Sequence, residues 1–372
     1  MRGGETFHEE EPGEEPSFKG GALYVPERHV PRVRFAAIGL DHGHIYLQVD
    51  QLIEAGGALV SFWASEPEQI AKFSETYPQA VRARSTEEIL NDESIALVAS
   101  AAIPSERAPL GIKVMMHGKD FMVDKCGVTS LDQLTEVRRV QSATQRIYSI
   151  YYAERFENRA TVKAGRLVEA GAIGKVLQTI GMGPHQLGLH PRPDWFYIKA
   201  KYGGILTDIG SHQADQFLFF TNTTKAEVVS SHIANYNHPQ YPELEDFGDM
   251  TLRGNGGSGY GRVDWFTPDG LGTWGDGRLF ILGTDGYIEL RKYCDIGGHP
   301  GKDHLFLVDK KGIQYMDCSD EELPYGPQLL SDVVNRTETA MTQHHCFLAS
   351  ELALTAEKKA TRLDASAGGY RS

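Results

Sequence analysis

VRFAAIGLDHGHIY, residues 33–46, decides the fold. Its apolar start reads as a strand. Gly39 marks a turn, and residues 44–55 continue with helical spacing as far as Gly56-Gly57. A strand feeding a glycine turn and then a helix is the opening unit of a parallel sheet. Backbone N–H groups at such a helix start can receive a phosphate.

The same rhythm continues outward from this stretch. ALVSFWA (58–64) predicts a second strand, and PEQIAKFSETY (67–77) a helix opened by Pro67. Ser85 with Glu88 forms a capping-box start. IALVASAAIP (95–104), DFMVDK (120–125) and IYSIYY (147–152) read as further strands, with helices between them. This alternation predicts a doubly wound parallel sheet over residues 33–150. After residue 151 one helix is followed by many β-like segments, among them KVLQTIGM, DMTLRG, RLFILGT and GYIELRKY. Several are separated by turn signals at 255–257, 284–286 and 310–312. The fold class is therefore α/β, with a C-terminal α+β domain over 151–365 built on a large, mostly antiparallel open sheet. Residues 328–359 return to helical spacing.

Residues 1–32 carry EEEPGEEP at 9–16 and read as a solvated arm. Phe18, Leu23, Tyr24 and Val25 also suit an arm that wraps a neighbouring subunit. The 372 residues hold 50 acidic and 37 basic side chains, a net charge of −13, which argues against a general nucleic-acid binder. The four cysteines are scattered without a CxxC pair, so neither a disulfide framework nor a zinc site is expected, and a cytoplasmic location fits. No apolar run reaches membrane-spanning length, and the N-terminus lacks the pattern of a secretory signal.

Three groups with proton-transfer chemistry stand out. In GGILTDIGSHQAD (203–215), Asp208 and His212 are four apart, which places them on one helical face. A carboxylate beside an imidazole suits proton transfer near neutral pH. Lys125 follows a buried strand and emerges at the sheet edge where open α/β sheets bind ligands. Cys126 follows it, and a trans peptide is expected there, because a cis bond before a residue other than proline is costly. Just before the Asp–His motif, GPHQLGLHPRPDWFYIKAKY (183–202) is rich in aromatic and basic groups. His185, Trp195, Tyr197 and Lys201 are candidate substrate contacts, with Tyr152 and Arg155 reaching in from the domain junction. His344, His345 and Cys346 adjoin one another, and neighbours on a helix point apart, so no metal site is expected there.

The chain resembles the glucose-fructose oxidoreductase/inositol dehydrogenase (Gfo/Idh/MocA) family. AAIGLDHGHIY (36–46), VDKC (123–126) and GGILTDIGSHQAD occur in the family's order and carry the likeness, over roughly residues 33–360. The resemblance implies a Rossmann domain at 33–150 binding NAD or NADP through Gly39, Leu40, His42, Gly43 and His44. Ser65 and Glu66 would lie by the ribose, and Ala102, Pro104 and Lys125 near the nicotinamide. Asp41 stands where the middle glycine would be and is expected to point away from the phosphates. Glu66 and Glu68 would repel a 2′-phosphate, which tips the expectation toward NAD.

The resemblance also implies Lys125, Asp208 and His212 as the catalytic set, with either Lys125 or His212 as the base. The implied reaction oxidises or reduces a secondary hydroxyl of a sugar, glycoside or cyclitol, in a homodimer or homotetramer. The alternatives are a glycosidase using NAD transiently without net redox, and a non-catalytic sugar sensor.

Overall fold

The computed structural model describes residues 33–189 and 192–364, so the predicted arm at 1–32 lies outside the described residues. Six strands form the first sheet: β1 (Arg34–Ile38), β2 (Ala58–Trp63), β3 (Val81–Arg82), β4 (Leu97–Ser100), β5 (Asp120–Asp124) and β6 (Tyr148–Tyr151). They lie in the order β3-β2-β1-β4-β5-β6, every neighbouring pair parallel. The connecting helices are α1 (His44–Glu54), α2 (Pro67–Thr76), α3 (Thr86–Leu90), α4 (Pro104–Met116) and α5 (Leu131–Thr144). Every residue of β4, β5 and β6 is buried. That is why these strands read as unbroken apolar runs: helices cover both faces of a parallel sheet. Burying side chains such as Phe121 and Ile150 contributes about 1.5–3 kcal/mol each. The strand order reverses between β1 and β4, which opens a crevice at their C-terminal ends.

Chain-order labels continue through α6 (Ala153–Phe156), α7 (Arg159–Glu169), α8 (Lys199–Tyr202), α9 (Ile205–Asp208), α10 (Gly210–Thr221), α11 (Tyr325–Asn335) and α12 (Gln343–Lys359). The second sheet contains β7 (Val176–Pro184), β8 (Ala226–Ala234), β9 (Phe247–Gly254), β10 (Ser258–Asp264), β11 (Arg278–Gly283), β12 (Gly286–Arg291), β13 (His304–Asp309), β14 (Gly312–Asp317) and β15 (Thr361–Arg362). Its order is β14-β13-β12-β11-β7-β10-β9-β8-β15, mostly antiparallel. The central pair β7–β10 is parallel, because the chain builds α10 and the β8–β9 pair before returning beside β7. Helix α10 packs on β7 and β10, and α12 on β8. In β11 burial alternates residue by residue, as expected of a sheet covered on one face.

The helical pattern at 328–359 divides in two at Arg336, a residue in the left-handed region with φ 57°. The Asp–His motif spans two consecutive segments joined by Ile209, which keeps helical dihedrals (φ −83°, ψ −39°). Asp208 ends α9 and His212 lies in α10.

Candidate active site

Both β1 and β5 deliver site residues at the crevice of the first sheet. The turn after β1 needs glycine. Gly39 has φ 75°, and a Cβ there would lie 2.6 Å from the Ala102 Cβ. Helix α1 then starts with Gly43 as its N-cap, with no side-chain cap and no acidic residue in its first turn. Nothing lies within 4 Å of where a Gly43 Cβ would be, so this helix start is open to an anion. Asp41 is within 3.3 Å of the Gln69 amide.

The imidazoles of His42 and His44 turn toward the end of β5. Their Nδ1 atoms lie 2.8 and 2.9 Å from opposite oxygens of Asp124. Asp124 is fully buried, and burial alone would raise its pKa. Instead the two histidines and Arg107 hold it well below the usual carboxylate range. Arg107 of α4 is buried, with Nη2 2.9 Å from Asp124 Oδ2 and Nε 2.6 Å from the Ala102 carbonyl. Its Nη1 also donates to the carbonyls of Asp124, Lys125 and Cys126, which ties the loop after β5 to α4. The Lys125–Cys126 peptide is cis, where the sequence suggested trans. The donor atoms of His42, His44 and Asp124 lie close enough together to hold a metal ion. Asp124, however, already accepts from both imidazoles and from the Arg107 guanidinium, and a cation bound there would face that guanidinium.

Lys125 meets Asp208 across the crevice. The lysine Nζ is 2.5 Å from Asp208 Oδ1, and both residues are buried. Burial alone would raise the pKa of Asp208, but the Lys125 ammonium more than offsets it and leaves the carboxyl below its ordinary value. The start of α9 is shaped for this contact. Gly203 and Gly204 have φ near 95°, and a Cβ on Gly204 would lie 2.2 Å from the Glu357 carboxyl. Glu245 and Glu357 accept from the N–H groups of Ile205 and Leu206 at 2.9 and 3.1 Å. Lys199 links those two carboxylates.

His212 is 3% exposed, and burial lowers its pKa to about 4, opposed by the Glu154 carboxylate. His185 is lowered further, to about 3, by burial and then by Lys125. Both imidazoles are therefore neutral near pH 7. Lys125, Asp208, His212, His185, His42 and His44 line one cavity of about 460 Å³. Trp195, which the sequence singled out, shares the wall with Trp265, Trp274 and Tyr293.

Other expected contacts lie elsewhere. Of the expected cofactor set, Pro104 borders the cavity, while Gly39, Leu40, Gly43, Ser65, Glu66 and Ala102 fall outside its lining. Ser65 and Glu66 are exposed at the end of β2 and hydrogen-bond each other at 3.1 Å. Tyr152 sits behind His212, ring centroids 6.1 Å apart, with its hydroxyl 3.3 Å from Ser350. Arg155 forms a buried two-pronged ion pair with Asp215, both contacts 2.7 Å, and borders a separate cavity. Tyr197 stacks on Tyr241 at 3.7 Å, and Lys201 lies 3.6 Å from Glu106.

Glu154, Asp303, Arg192 and Lys302 also line the cavity, though none was singled out from the sequence. Glu154 lay one position from Arg155, and its spacing from Lys125 and His212 carries no signal.

The comparisons with known proteins agree with this architecture. A protein from Erwinia carotovora atroseptica, provisionally described as an oxidoreductase, is 48% identical. The match covers 89% of this chain and 100% of that one, with a TM-score of 0.87. Residues 161–289 match the GFO/IDH/MocA C-terminal domain. The chain belongs to the Gfo/Idh/MocA family. Levoglucosan dehydrogenase in complex with NADH and levoglucosan superposes with a TM-score of 0.73 at 14% identity, over 88% of this chain and 98% of that one. At that identity the likeness is one of fold. D-xylose dehydrogenase of Paenarthrobacter nicotinovorans is 24% identical over 149 residues, 39% of this chain and 38% of that dehydrogenase.

Proposed function

We propose that this Gfo/Idh/MocA protein is an NAD(P)-dependent oxidoreductase. It would transfer a hydride between a nicotinamide cofactor and a secondary hydroxyl of a sugar, glycoside or cyclitol. The observation that carries this reading is the Lys125–Asp208 pair at 2.5 Å, sharing one cavity with a neutral, buried His212. His212 takes the hydroxyl proton, since the Lys125 ammonium is already engaged by Asp208. Lys125 donates toward the substrate oxygen as negative charge builds there. Trp195, Trp265 and Trp274 offer faces for sugar C–H groups.

The open start of α1 suits a pyrophosphate, and Glu66 with Ser65 suits an unphosphorylated ribose, which favours NAD over NADP. When bound, the nicotinamide supplies the hydride acceptor. The dinucleotide domain would span 33–150, and the substrate and assembly domain 151–365.

Ile180 of β7 and Phe280 of β11 are directly paired and both exposed on the outer face of the second sheet, near Leu177 and Leu282. Exposed apolar residues grouped in this way favour self-association, so a homodimer or homotetramer through this face is expected. Among the described residues no helix is long and apolar enough to cross a membrane. The four free cysteines, three of them buried, are consistent with a reducing cytoplasm.

The test has two parts. Protein purified without added nucleotide is denatured and the supernatant analysed by mass spectrometry for NAD or NADP. A panel of sugars, glycosides and cyclitols is then followed for NADH and for product. A keto-sugar formed with stoichiometric NADH is the expected result. Glycosidic cleavage without net NADH would replace this reading with the glycosidase, and absence of any nucleotide binding would overturn it.

A further inference from the structure

Two buried atoms in the cavity wall lack partners in a complementary way. His212 Nδ1 and Glu154 Oε1 are both shielded from solvent and make no hydrogen bond. The other oxygen of Glu154 is fully engaged. Oε2 lies 2.7 Å from Lys292 Nζ and 3.3 Å from the side-chain amides of Gln213 and Gln216. The same Gln216 amide donates to the His212 carbonyl at 2.9 Å, so the carboxylate is one amide away from His212. Both residues line the cavity and are 3% exposed. The nearby alternatives are occupied. Asp208 holds Lys125, and Asp215 is bound by Arg155 and by His345 at 2.8 Å.

We propose that Glu154 is the positioning carboxylate of His212: its unengaged Oε1 is the acceptor for Nδ1–H, which leaves the Nε2 lone pair toward the cavity as the base. This rests on the reading of His212 as the proton acceptor. A neutral imidazole carries one donor and one acceptor nitrogen, and the partner of one fixes the role of the other. The bond is not made in this ligand-free structure, and catalytic hydrogen bonds are often long or unmade before substrate is bound. The charged groups acting on His212 are Glu154, Lys125, Lys292 and Asp215. Glu154 opposes the lowering caused by burial, which is the direction expected of a carboxylate that stabilises the imidazolium formed when His212 takes the proton.

The decisive substitution is Glu154→Gln. Lys292 is a donor and would retain the amide oxygen. That leaves the amide N–H₂ toward Nδ1, which then becomes an acceptor and forces the wrong tautomer. The full-length protein, labelled with ¹⁵N-histidine, is examined by long-range ¹H–¹⁵N correlation at pH 7, with the His212 signals identified by their loss in His212→Gln. The expected result is the Nδ1–H tautomer in the wild type and the Nε2–H tautomer in Glu154→Gln. On the substrate found by the panel, Glu154→Gln should lower kcat by about 10²-fold or more with KM changed only a few-fold, the pattern of a displaced tautomer.

Nε2–H already in the wild type, or Nδ1–H with unchanged kcat in Glu154→Gln, would overturn the pairing. Because the wild-type spectrum needs no variant of Glu154, poor folding of Glu154→Gln cannot mask the answer. If His212→Gln keeps full turnover, the base assignment fails instead, and the tautomer measurement tells the two failures apart.

Discussion

The two walls of the cavity are built on opposite principles. On the first-sheet side, Asp124 accepts from His42, His44 and Arg107, and Arg107 also holds the carbonyls around Lys125. On the second-sheet side, His212 Nδ1, Glu154 Oε1 and Asp303 Oδ2 are buried without partners. Buried polar groups are normally satisfied, because an unmade bond costs about 1–3 kcal/mol. A satisfied wall serves as scaffold. The three unsatisfied atoms belong to residues that line this one cavity.

The strongest way to break this contrast is to unmake the scaffold. Arg107→Met removes the guanidinium from a fully buried carboxylate, and losing one partner of a buried ion pair costs about 3–5 kcal/mol. Urea unfolding should show that loss. A loss under 1 kcal/mol would mean that the two histidines alone hold Asp124.

Next in size are the proposed reacting groups. Lys125→Ala and His212→Ala should each lower turnover by about 10²-fold or more, with nucleotide binding retained. Calorimetric titration with NAD alongside steady-state rates checks both halves. Near-native turnover in both variants would refute the proposed chemistry.

Acid should act on both walls. His42, His185 and His212 are lowered from 6.5 to about 4, 3 and 4, with burial the largest cause in each case. Between pH 6.5 and 4 the unfolded chain therefore binds protons that the folded chain does not. Stability is present above pH 6.5 and is lost as the pH falls through this window. Melting temperatures should decline from pH 7 to 5, and His185→Gln or His212→Gln should flatten the slope. An unchanged melting temperature across that range would show that these imidazoles are not held neutral by the fold.

The smallest effect is expected far from the cavity. Phe280→Glu on the outer face of the second sheet should shift light scattering toward monomer and leave monomer stability within about 0.5 kcal/mol, as for most surface changes. Unchanged mass would place the subunit contact elsewhere.

Strand–helix alternation from Val33 to Tyr152 and the β-rich second half were legible because each element buries its own apolar face with its own period. Gly39 was legible because a strand-to-helix turn of this kind calls for positive φ. Lys125, Asp208 and His212 could be singled out from strand-end position and helical spacing. Their pairing could not: spacing set Asp208 beside His212 on one helical face, yet the partner of Asp208 is Lys125, 83 residues back. The backbone stays helical through Ile209, with φ −83° and ψ −39°, so it is the reach of Lys125 across the crevice that decides the pairing. Likewise Arg155, read as a site residue, is held by Asp215, while its neighbour Glu154 lines the cavity.

Local periodicity and turn chemistry thus determined the elements, their order and the residue types available for catalysis. Which carboxylate meets which cation was decided only when the two sheets closed on one cavity. Ion pairing between buried groups depends on three-dimensional distance and on burial, and neither is encoded in the spacing of residues along the chain.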